Sequence, residues 1–179
     1  MRKIVDSFDY LDGFCSKEQY RKTLMRPYCD KANHCIVATD SVKMLMIDVK
    51  DYNYTAESGA VLDGDDGQII TRPIDYPDYR NVFKGIGDAI ASGTLSVPKF
   101  FKRLKRSEMF VSIKQEEGTA KLDLSWHQFG DPSALVRLDA SLLSAFAGET
   151  LDISIYGKSK PIMLRFNGNM TIYIMPIRD

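Results

Sequence analysis

The 179-residue sequence contains no apolar run near the about 20 residues that a membrane-spanning helix needs. Its N-terminus, Met1-Arg2-Lys3, carries charge where a secretory signal requires an apolar core. A surplus of either charge is also absent, because 24 Lys and Arg residues balance 24 Asp and Glu residues. These absences predict a cytoplasmic protein without membrane contact. Any contact with DNA must then depend on local clusters of basic residues, since the net charge is zero.

Residues that commonly carry catalysis or bind metals are scarce, with three Cys and two His. An odd number of cysteines argues against a disulfide framework, and the spacing of Cys15, Cys29 and Cys35 matches no metal-ligand pattern. We expect reduced, partly buried thiols. Nucleophile elbows and phosphate-binding glycine loops are absent as well. The sequence therefore predicts a protein that is not an enzyme and uses no metal or cofactor, and an enzyme whose site assembles only in three dimensions remains as an alternative.

The dominant pattern is that of short strands with alternating polarity. In the clearest of them, 150–156, the apolar Leu151, Ile153 and Ile155 alternate with more polar residues. Asn167-Gly168-Asn169 predicts a hairpin turn, because Asn and Gly tolerate positive φ. The stretch 50–68 is predicted to be a polar loop. The predicted strands are 3–8, 33–38, 43–49, 67–71, 93–97, 109–115, 119–125, 134–138, 150–156, 161–166 and 170–176.

Three short helices are predicted between these strands, at 16–26, 98–106 and 139–147. The first begins with a capping-box pattern at Ser16, and the third has Asp139 as its N-cap. A strand, a short helix and further strands thus recur along the chain. This order predicts an α+β fold with two stacked layers, in which antiparallel sheets carry the short helices on one face.

Positive charge is concentrated in the second predicted helix. At α-helical spacing, Val97, Phe100, Phe101 and Leu104 share one face and cations cover the rest. Either the cations form a solvated helix face, which is common for long side chains, or they contact DNA phosphates. The candidate DNA-binding residues are Lys99, Lys102, Arg103, Lys105 and Arg106, with a weaker set, Lys17, Arg21, Lys22 and Arg26, on the first predicted helix.

Three separated segments follow one another along the chain: Val37-Ala38-Thr39-Asp40-Ser41-Val42-Lys43-Met44, Tyr76-Pro77-Asp78-Tyr79-Arg80-Asn81-Val82-Phe83 and Tyr173-Ile174-Met175-Pro176-Ile177-Arg178. In this order they resemble Ala-Thr-Asp-Gly-His-Arg-Leu, Phe-Pro-Asp-Tyr-Arg-Arg-Val and the C-terminal Tyr-Val-Val-Met-Pro-Met-Arg-Leu of one family. That family is the bacterial DNA sliding clamp, the beta subunit of DNA polymerase III.

The resemblance implies a clamp-like fold, in which sheets form an outer layer and short helices face the hole that holds double-stranded DNA. It implies a clamp-like half unit at 1–72 and a domain similar to the family's C-terminal domain at 73–179. The chain has fewer half units than a bacterial clamp subunit. Closing a ring would require further copies, as a homo-oligomer, or a partner chain, and the alternative is that no ring forms.

In the family, the three motifs converge on a hydrophobic pocket that accepts short linear peptides from polymerases and other replication proteins. Carried over by motif position, the peptide-binding residues are Thr39, Val42, Lys43, Met44, Pro77, Asn81, Val82, Tyr173, Met175, Pro176, Ile177 and Arg178. The alternative is that these are core residues of strands. The chain departs from the family where Ser41 replaces a Gly, Asn81 replaces an Arg and Tyr173 replaces a small aliphatic residue that would leave more room in the pocket.

Two functional hypotheses follow from the resemblance. The first is a clamp-like accessory factor of DNA replication or repair, a processivity factor that docks partner peptides and contacts DNA through its basic helices. The second is a peptide-binding adaptor or clamp antagonist that does not encircle DNA. Either would act by tethering, through effective concentration and without chemistry. The basic helix favours the first hypothesis, and the zero net charge and short length favour the second.

Overall fold

The computed structural model describes residues 10–50, 56–63, 70–106, 108–115, 122–127 and 136–177, with only the backbone at 62, 63, 115 and 122–127. The chain divides into two compact units. Unit 1 comprises Met1–Asn81 and Asn167–Ile172, and unit 2 comprises Val82–Phe166 and Tyr173–Asp179. The predicted half unit, 1–72, lies within unit 1, and most of the predicted domain 73–179 lies in unit 2. That each corresponds to a clamp-like unit remains a prediction, and the predicted strand 3–8 lies outside the described residues.

Unit 1 is built on the strands β1 (Tyr28–Asp30), β2 (Cys35–Thr39), β3 (Lys43–Asp48), β4 (Gly59–Asp63) and β5 (Ile70–Arg72). They lie in the order β5-β4-β1-β2-β3, and each neighbouring pair is antiparallel. β1 was not predicted, because three residues are too few to show alternation. β4 lies within the predicted polar loop 50–68, so that part of the prediction is wrong. β2 is buried at four consecutive positions, which identifies it as a strand covered on both faces.

Unit 2 contains two groups of strands. The first group consists of β6 (Ala91–Ser96), β10 (Thr150–Ile155), β11 (Ile162–Phe166) and the end of β12 (Met170–Ile174). The second group consists of β7 (Phe110–Gln115), β8 (Leu122–His127) and β9 (Val136–Asp139). The first group has the order β6-β10-β11-β12 and the second the order β8-β7-β9. The pairs β6–β10, β10–β11, β7–β8 and β7–β9 are antiparallel. The predicted alternation in β10 is confirmed, since Leu151, Ile153 and Ile155 are all buried.

In the described part of the chain, short 3-10 helices lie at Asp12–Phe14, Lys22–Leu24, Tyr79–Val82, Lys99–Arg103 and Ala140–Phe146. The predicted helix 16–26 is therefore wrong. The Ser16 hydroxyl accepts a hydrogen bond from the Glu18 N–H at 3.2 Å, which forms a local turn in place of the capping box. The other two predicted helices exist but are shorter. Asp139 is confirmed as an N-cap, because its carboxylate accepts the Ser141 N–H at 2.9 Å.

The helices Lys99–Arg103 and Ala140–Phe146 pack against each other within unit 2. Phe101, Leu143 and Phe146 are buried, and the Phe146 ring meets Phe166 of β11 edge to face at a centroid distance of 5.6 Å. These aromatic side chains contribute much of the apolar area that the unit removes from water. One side of the helix at 99–103 is therefore buried in the core, and its other side chains are exposed to solvent.

Several chemical features of the described residues bear on function. No helix in the described ranges is long and apolar enough to cross a membrane. Over the same ranges, no three His, Cys, Asp or Glu side chains lie close enough to hold a metal ion. Cys15, Cys29 and Cys35 are buried thiols that form no disulfide bond with one another.

The predicted hairpin turn between β11 and β12 is confirmed. Asn167 has φ 53° and Gly168 has φ 77°, the pair of positive values that a type I′ turn requires. This turn directs the chain into β12 and thus towards the third clamp-like segment.

We expect Gly168→Ala to lower the free energy of unfolding by about 1–2 kcal/mol, because in the left-handed conformation the alanine Cβ lies too close to the following carbonyl oxygen. Space is not the cause, since a Cβ on Gly168 would meet no atom of the described residues within 4 Å. Gly13 is the matched control: it has equally open surroundings and no positive φ. Gly13→Ala should change stability by less than about 0.5 kcal/mol in urea unfolding, and equal losses in both variants would contradict this account.

Candidate functional site

The first clamp-like segment forms a tight turn between β2 and β3. The Asp40 carboxylate accepts the N–H groups of Val42 and Lys43, each at 2.9 Å, and the Thr39 hydroxyl donates to the Lys43 carbonyl at 2.8 Å. Ser41 has φ 77°, a left-handed conformation that glycine adopts without steric cost. The glycine of the resembled motif falls at this position, and Ser41 must be held there by its neighbours.

Arg21 supplies part of that support. Its guanidinium donates to the Asp40 carbonyl at 2.8 Å and to the Ser41 hydroxyl, and it pairs with the Glu18 carboxylate at 2.9 Å. Arg21 therefore stabilises the β2–β3 turn within unit 1. Its predicted contact with DNA would have to share a guanidinium that already has three partners.

The side chains of this segment differ in how much surface they present. Lys43 lies over the ring of Phe14, with its Nζ 4.8 Å from the ring centre, and burial lowers the pKa of Lys43. Thr39, Val42 and Lys43 are half-buried, whereas Met44 is only 2% exposed. Met44 thus belongs to the core, and the other three side chains can offer surface to a ligand.

The second segment is anchored by Tyr79, whose ring is buried. The Tyr79 hydroxyl donates to the Asp30 carboxylate at 2.8 Å and lies 3.3 Å from the Cys35 sulfur. Because the single hydroxyl proton goes to Asp30, the Cys35 thiol must be the donor towards the Tyr79 oxygen. Burial raises the pKa of Cys35 to about 11, so the thiol keeps the proton that this contact needs.

Asp30 is the acceptor at the centre of this network. Its carboxylate also accepts the Asn33 backbone N–H at 3.1 Å and the Asn33 side-chain amide at 2.8 Å. Burial raises the pKa of Asp30, but the hydrogen bonds from Asn33 and Tyr79 together outweigh burial and lower it. The carboxylate is therefore charged at neutral pH and is stabilised by donors from two segments of the chain.

The second tyrosine of the segment, Tyr76, stacks on Tyr28 of β1 with a centroid distance of 4.6 Å. Its hydroxyl is buried and has no hydrogen-bond partner among the described residues. Between the two anchored tyrosines, Pro77 is exposed, as is Asn81 at the end of the segment. The two rings thus fix the backbone and leave these two predicted peptide-binding side chains at the surface of unit 1.

The third segment continues from β12 in unit 2. Tyr173, Met175 and Ile177 are half-buried and alternate with the buried Ile174 and Pro176. Side chains two residues apart on an extended segment point to the same side, so the half-buried three share one face.

Aromatic stacking fixes this face locally. The Tyr173 ring stacks on Phe83 with a centroid distance of 5.4 Å, and Val82, beside Phe83 in the chain, is 37% exposed. The tyrosine that replaces a small residue of the clamp motif is therefore packed against an aromatic neighbour. Arg178 lies outside the described residues.

The predicted peptide-binding residues are distributed over both units. Thr39, Val42, Lys43, Met44, Pro77 and Asn81 belong to unit 1, and Val82, Tyr173, Met175, Pro176 and Ile177 belong to unit 2. The surface members of the set are mixed in unit 1, where Val42 and Pro77 are apolar and Thr39, Lys43 and Asn81 are polar. They are mainly apolar in unit 2, with Val82, Tyr173, Met175 and Ile177. The convergence of the two sets on one pocket remains a prediction.

The basic segment at 99–106 has all five of its cationic side chains exposed. The predicted apolar face is wrong for Phe100, which is 45% exposed. The segment forms a 3-10 helix with 3.0 residues per turn in place of 3.6, so Phe100 does not share the buried face of Phe101. The weaker basic set has no common helix, although Lys17, Lys22 and Arg26 are exposed.

Sequence reasoning missed the residues that hold the candidate site in place. Phe83 is the last residue of the second segment and follows the predicted Val82, so its position in the motif could have identified it. Asp30 could not have been found, since it is 49 residues from Tyr79 and carries no motif of its own.

The strand order, the short helices and the three placed segments define a DNA-clamp-type α+β fold, and solved structures of bacterial sliding clamps share it. The Helicobacter pylori beta clamp bound to a DNA ligase peptide matches with a TM-score of 0.63 at 14% identity, over 98% of this chain and 64% of that chain. The Caulobacter crescentus beta sliding clamp matches with a TM-score of 0.65 at 14% identity, over 98% and 63%. The Thermotoga maritima DNA polymerase III beta subunit matches with a TM-score of 0.57 at 11% identity, over 93% and 61%.

The predicted clamp-like fold is thus confirmed, and the chain is a short structural relative of the beta clamp. It spans less than two thirds of the clamp chains that it matches. No family sequence profile matches the chain, and no curated protein matches it by sequence.

We expect Tyr79→Phe to lower the free energy of unfolding by about 1–3 kcal/mol, because it leaves the buried Asp30 carboxylate and the Cys35 thiol each without one partner. Tyr76→Phe is the matched control, since its hydroxyl has no partner among the described residues and its ring stacking is retained. Urea unfolding should show Tyr76→Phe unchanged or slightly more stable. Equal losses in both variants would contradict the proposed role of the Tyr79 hydroxyl.

The stability difference between the wild type and Tyr79→Phe should depend on pH. Asp30 has a lowered pKa in the folded state, so its hydrogen bonds stabilise the protein above the unfolded pKa near 3.8 and lose this effect as pH falls through the folded value. The difference should be largest near neutral pH and shrink in acid. Unfolding titrations at several pH values measure it, and a constant difference down to acid would count against a charged Asp30.

Proposed function

We propose that this chain is a sliding-clamp-like accessory factor of DNA replication or repair that docks short linear peptides of partner proteins in the cytoplasm. The observation that carries the proposal is the clamp fold over 98% of the chain, and the order of the three clamp-like segments along the sequence supports it. The H. pylori clamp of the same fold binds a DNA ligase peptide, which supports peptides as the class of partner. The proposed activity is tethering, in which binding raises the local concentration of a partner and no bond is made or broken.

Peptide docking would use the predicted peptide-binding side chains that lie at the surface of each unit. Thr39, Val42 and Lys43 present half-buried side chains in unit 1, and Tyr173, Met175 and Ile177 do so in unit 2. Partly exposed apolar side chains held by a rigid strand are suited to accept one or two apolar anchors of an extended peptide. The Lys43 ammonium would favour a peptide with an acidic or polar residue beside its anchor.

Contact with DNA would use the basic segment. Its five exposed cations within eight positions are dense enough to bind phosphates although the whole chain has zero net charge. Both DNA and peptide binding would then coexist on one chain, as tethering of an enzyme to DNA requires.

A second function, a peptide-binding adaptor or clamp antagonist that does not encircle DNA, is favoured by one specific observation. The whole chain has zero net charge, whereas a protein that holds DNA usually carries a surplus of basic residues. Light scattering separates the two functions by molar mass. A ring-forming clamp should be an oligomer, whereas a monomer that binds peptide but not DNA would support the adaptor.

We expect Met175→Ala to weaken peptide binding about tenfold while lowering stability only slightly, because the side chain is half-buried and adaptable. Binding can be measured by fluorescence anisotropy with a labelled copy of the DNA ligase peptide seen on the H. pylori clamp. Met109→Ala is the control, since Met109 is also a half-buried methionine of unit 2 but lies outside the predicted surface. Equal effects of the two variants would argue against a peptide site at Met175.

We expect double-stranded DNA to bind weakly and with steep salt dependence, because each neutralised phosphate releases a counterion. Reversing the charges of Lys99, Lys102, Arg103, Lys105 and Arg106 should remove this binding and leave the circular dichroism spectrum unchanged. Reversal of Lys17, Lys22 and Arg26 should have a smaller effect. Absence of binding by the wild type at low salt would refute the DNA-tethering function and favour the adaptor.

A further inference from the structure

Phe100 is an exposed aromatic residue in the middle of the basic segment. Its side chain is 45% exposed, although phenylalanine gains by leaving water and Phe101 next to it is 1% exposed. The two rings meet edge to face, with centroids 5.0 Å apart and an interplanar angle of 80°. The buried Phe101 thus holds the neighbouring ring from one side, and Phe100 presents the rest of its surface to solvent in a restrained position.

The 3-10 geometry places cations beside this ring. Side chains three positions apart eclipse one another in such a helix, so Phe100 shares a face with Arg103. Lys99 and Lys102 share the neighbouring face for the same reason, and the stem of Lys99 runs past Gly148 of the adjacent turn. An exposed ring is therefore flanked by three cationic side chains, all of them exposed.

The composition of this surface selects among ligands. A membrane surface is disfavoured, because the other apolar side chain within the helix, Phe101, faces the core and leaves a single ring for insertion. An acidic peptide would satisfy the cations but offers no particular partner for a flat ring. A nucleic-acid strand satisfies both, since phosphates pair with the cations and every base has a π face that stacks on an aromatic side chain.

We propose that Phe100, with Lys99, Lys102 and Arg103, forms a binding site for single-stranded DNA in which the ring stacks on an unpaired base and the cations hold the adjacent phosphates. A base inside a duplex already has both faces stacked, so the ring gives no gain there. The basic segment should consequently prefer single-stranded DNA over duplex DNA. This inference rests on the proposed contact between the basic segment and DNA, and adds to it the state of the DNA that is recognised.

The test compares the full chain with Phe100→Ala and Phe100→Tyr by fluorescence anisotropy at low salt. The probes are a labelled oligothymidylate, an abasic strand of the same length and a duplex of the same length. The wild type should bind the oligothymidylate most tightly. Phe100→Ala should weaken that binding about tenfold and leave duplex binding unchanged. Phe100→Tyr, which keeps an aromatic ring, should bind the oligothymidylate about as tightly as the wild type does.

The abasic strand separates stacking from charge, because it keeps the phosphates and lacks the bases. Wild-type protein should bind it as weakly as Phe100→Ala binds the oligothymidylate. Ile90→Ala is the matched control, since it removes another exposed apolar side chain of unit 2 outside the basic segment and should change nothing. Thermal unfolding of each variant shows whether the fold is retained.

Four outcomes would overturn the inference. If Phe100→Ala binds the oligothymidylate as well as the wild type does, no stacking occurs. If the variant loses duplex and single-stranded binding equally, Phe100 acts as a wedge in duplex DNA and single strands are not selected. If duplex DNA binds through the cations while single strands bind no better, the proposed DNA contact stands and this inference fails. If no probe binds, both fail.

Discussion

The Tyr79 hydroxyl holds together the part of the molecule on which the candidate site depends. It joins the segment that follows β5 to Asp30 of β1 and Cys35 of β2, all within unit 1. The contact with Asp30 is charge-assisted and buried, so a shift of the segment would remove one of the donors to this carboxylate in a poorly solvated position, at a cost of about 1–3 kcal/mol. This anchor fixes the positions of the exposed Pro77 and Asn81 in the same segment. Rigid backbone beneath a half-exposed surface is what a peptide site requires, because little ordering entropy is then lost when the ligand binds.

The β2–β3 turn shows a similar dependence on neighbours. Ser41 adopts a left-handed conformation that costs of the order of 1–2 kcal/mol for a residue with a Cβ. Asp40, Thr39 and Arg21 together fix the turn through hydrogen bonds to its backbone and to Ser41. At the position where the resembled motif has a glycine, side chains thus hold Ser41 in the left-handed conformation. Arg21 is a basic residue with a structural task, which distinguishes it from the exposed cations of the 99–106 segment.

Electrostatics in this protein is local. The chain has zero net charge, so long-range attraction to a polyanion is weak and binding depends on short-range contacts with exposed cations. The basic segment meets this condition because Phe101 is the buried residue of its helix and all five cationic side chains of the segment are exposed. An aromatic ring among these cations changes the chemistry of the surface from simple charge attraction to a combination of charge and stacking.

The sequence by itself determined the strands with clear alternation, the Asn167-Gly168 turn, the Asp139 cap and the clamp-like resemblance of three segments. These features follow from local preferences, such as positive φ at Asn and Gly, or from the order of short motifs along the chain. Tertiary structure decided the rest. Residues 16–26 form turns and one short 3-10 helix because Ser16 and Arg21 bond to nearby and distant groups in place of an α-helical backbone ladder. Phe100 is exposed because its helix is a 3-10 helix in which it does not share the buried face of Phe101, and Asp30 is joined to Tyr79 across 49 residues because the fold brings together groups that no local rule relates.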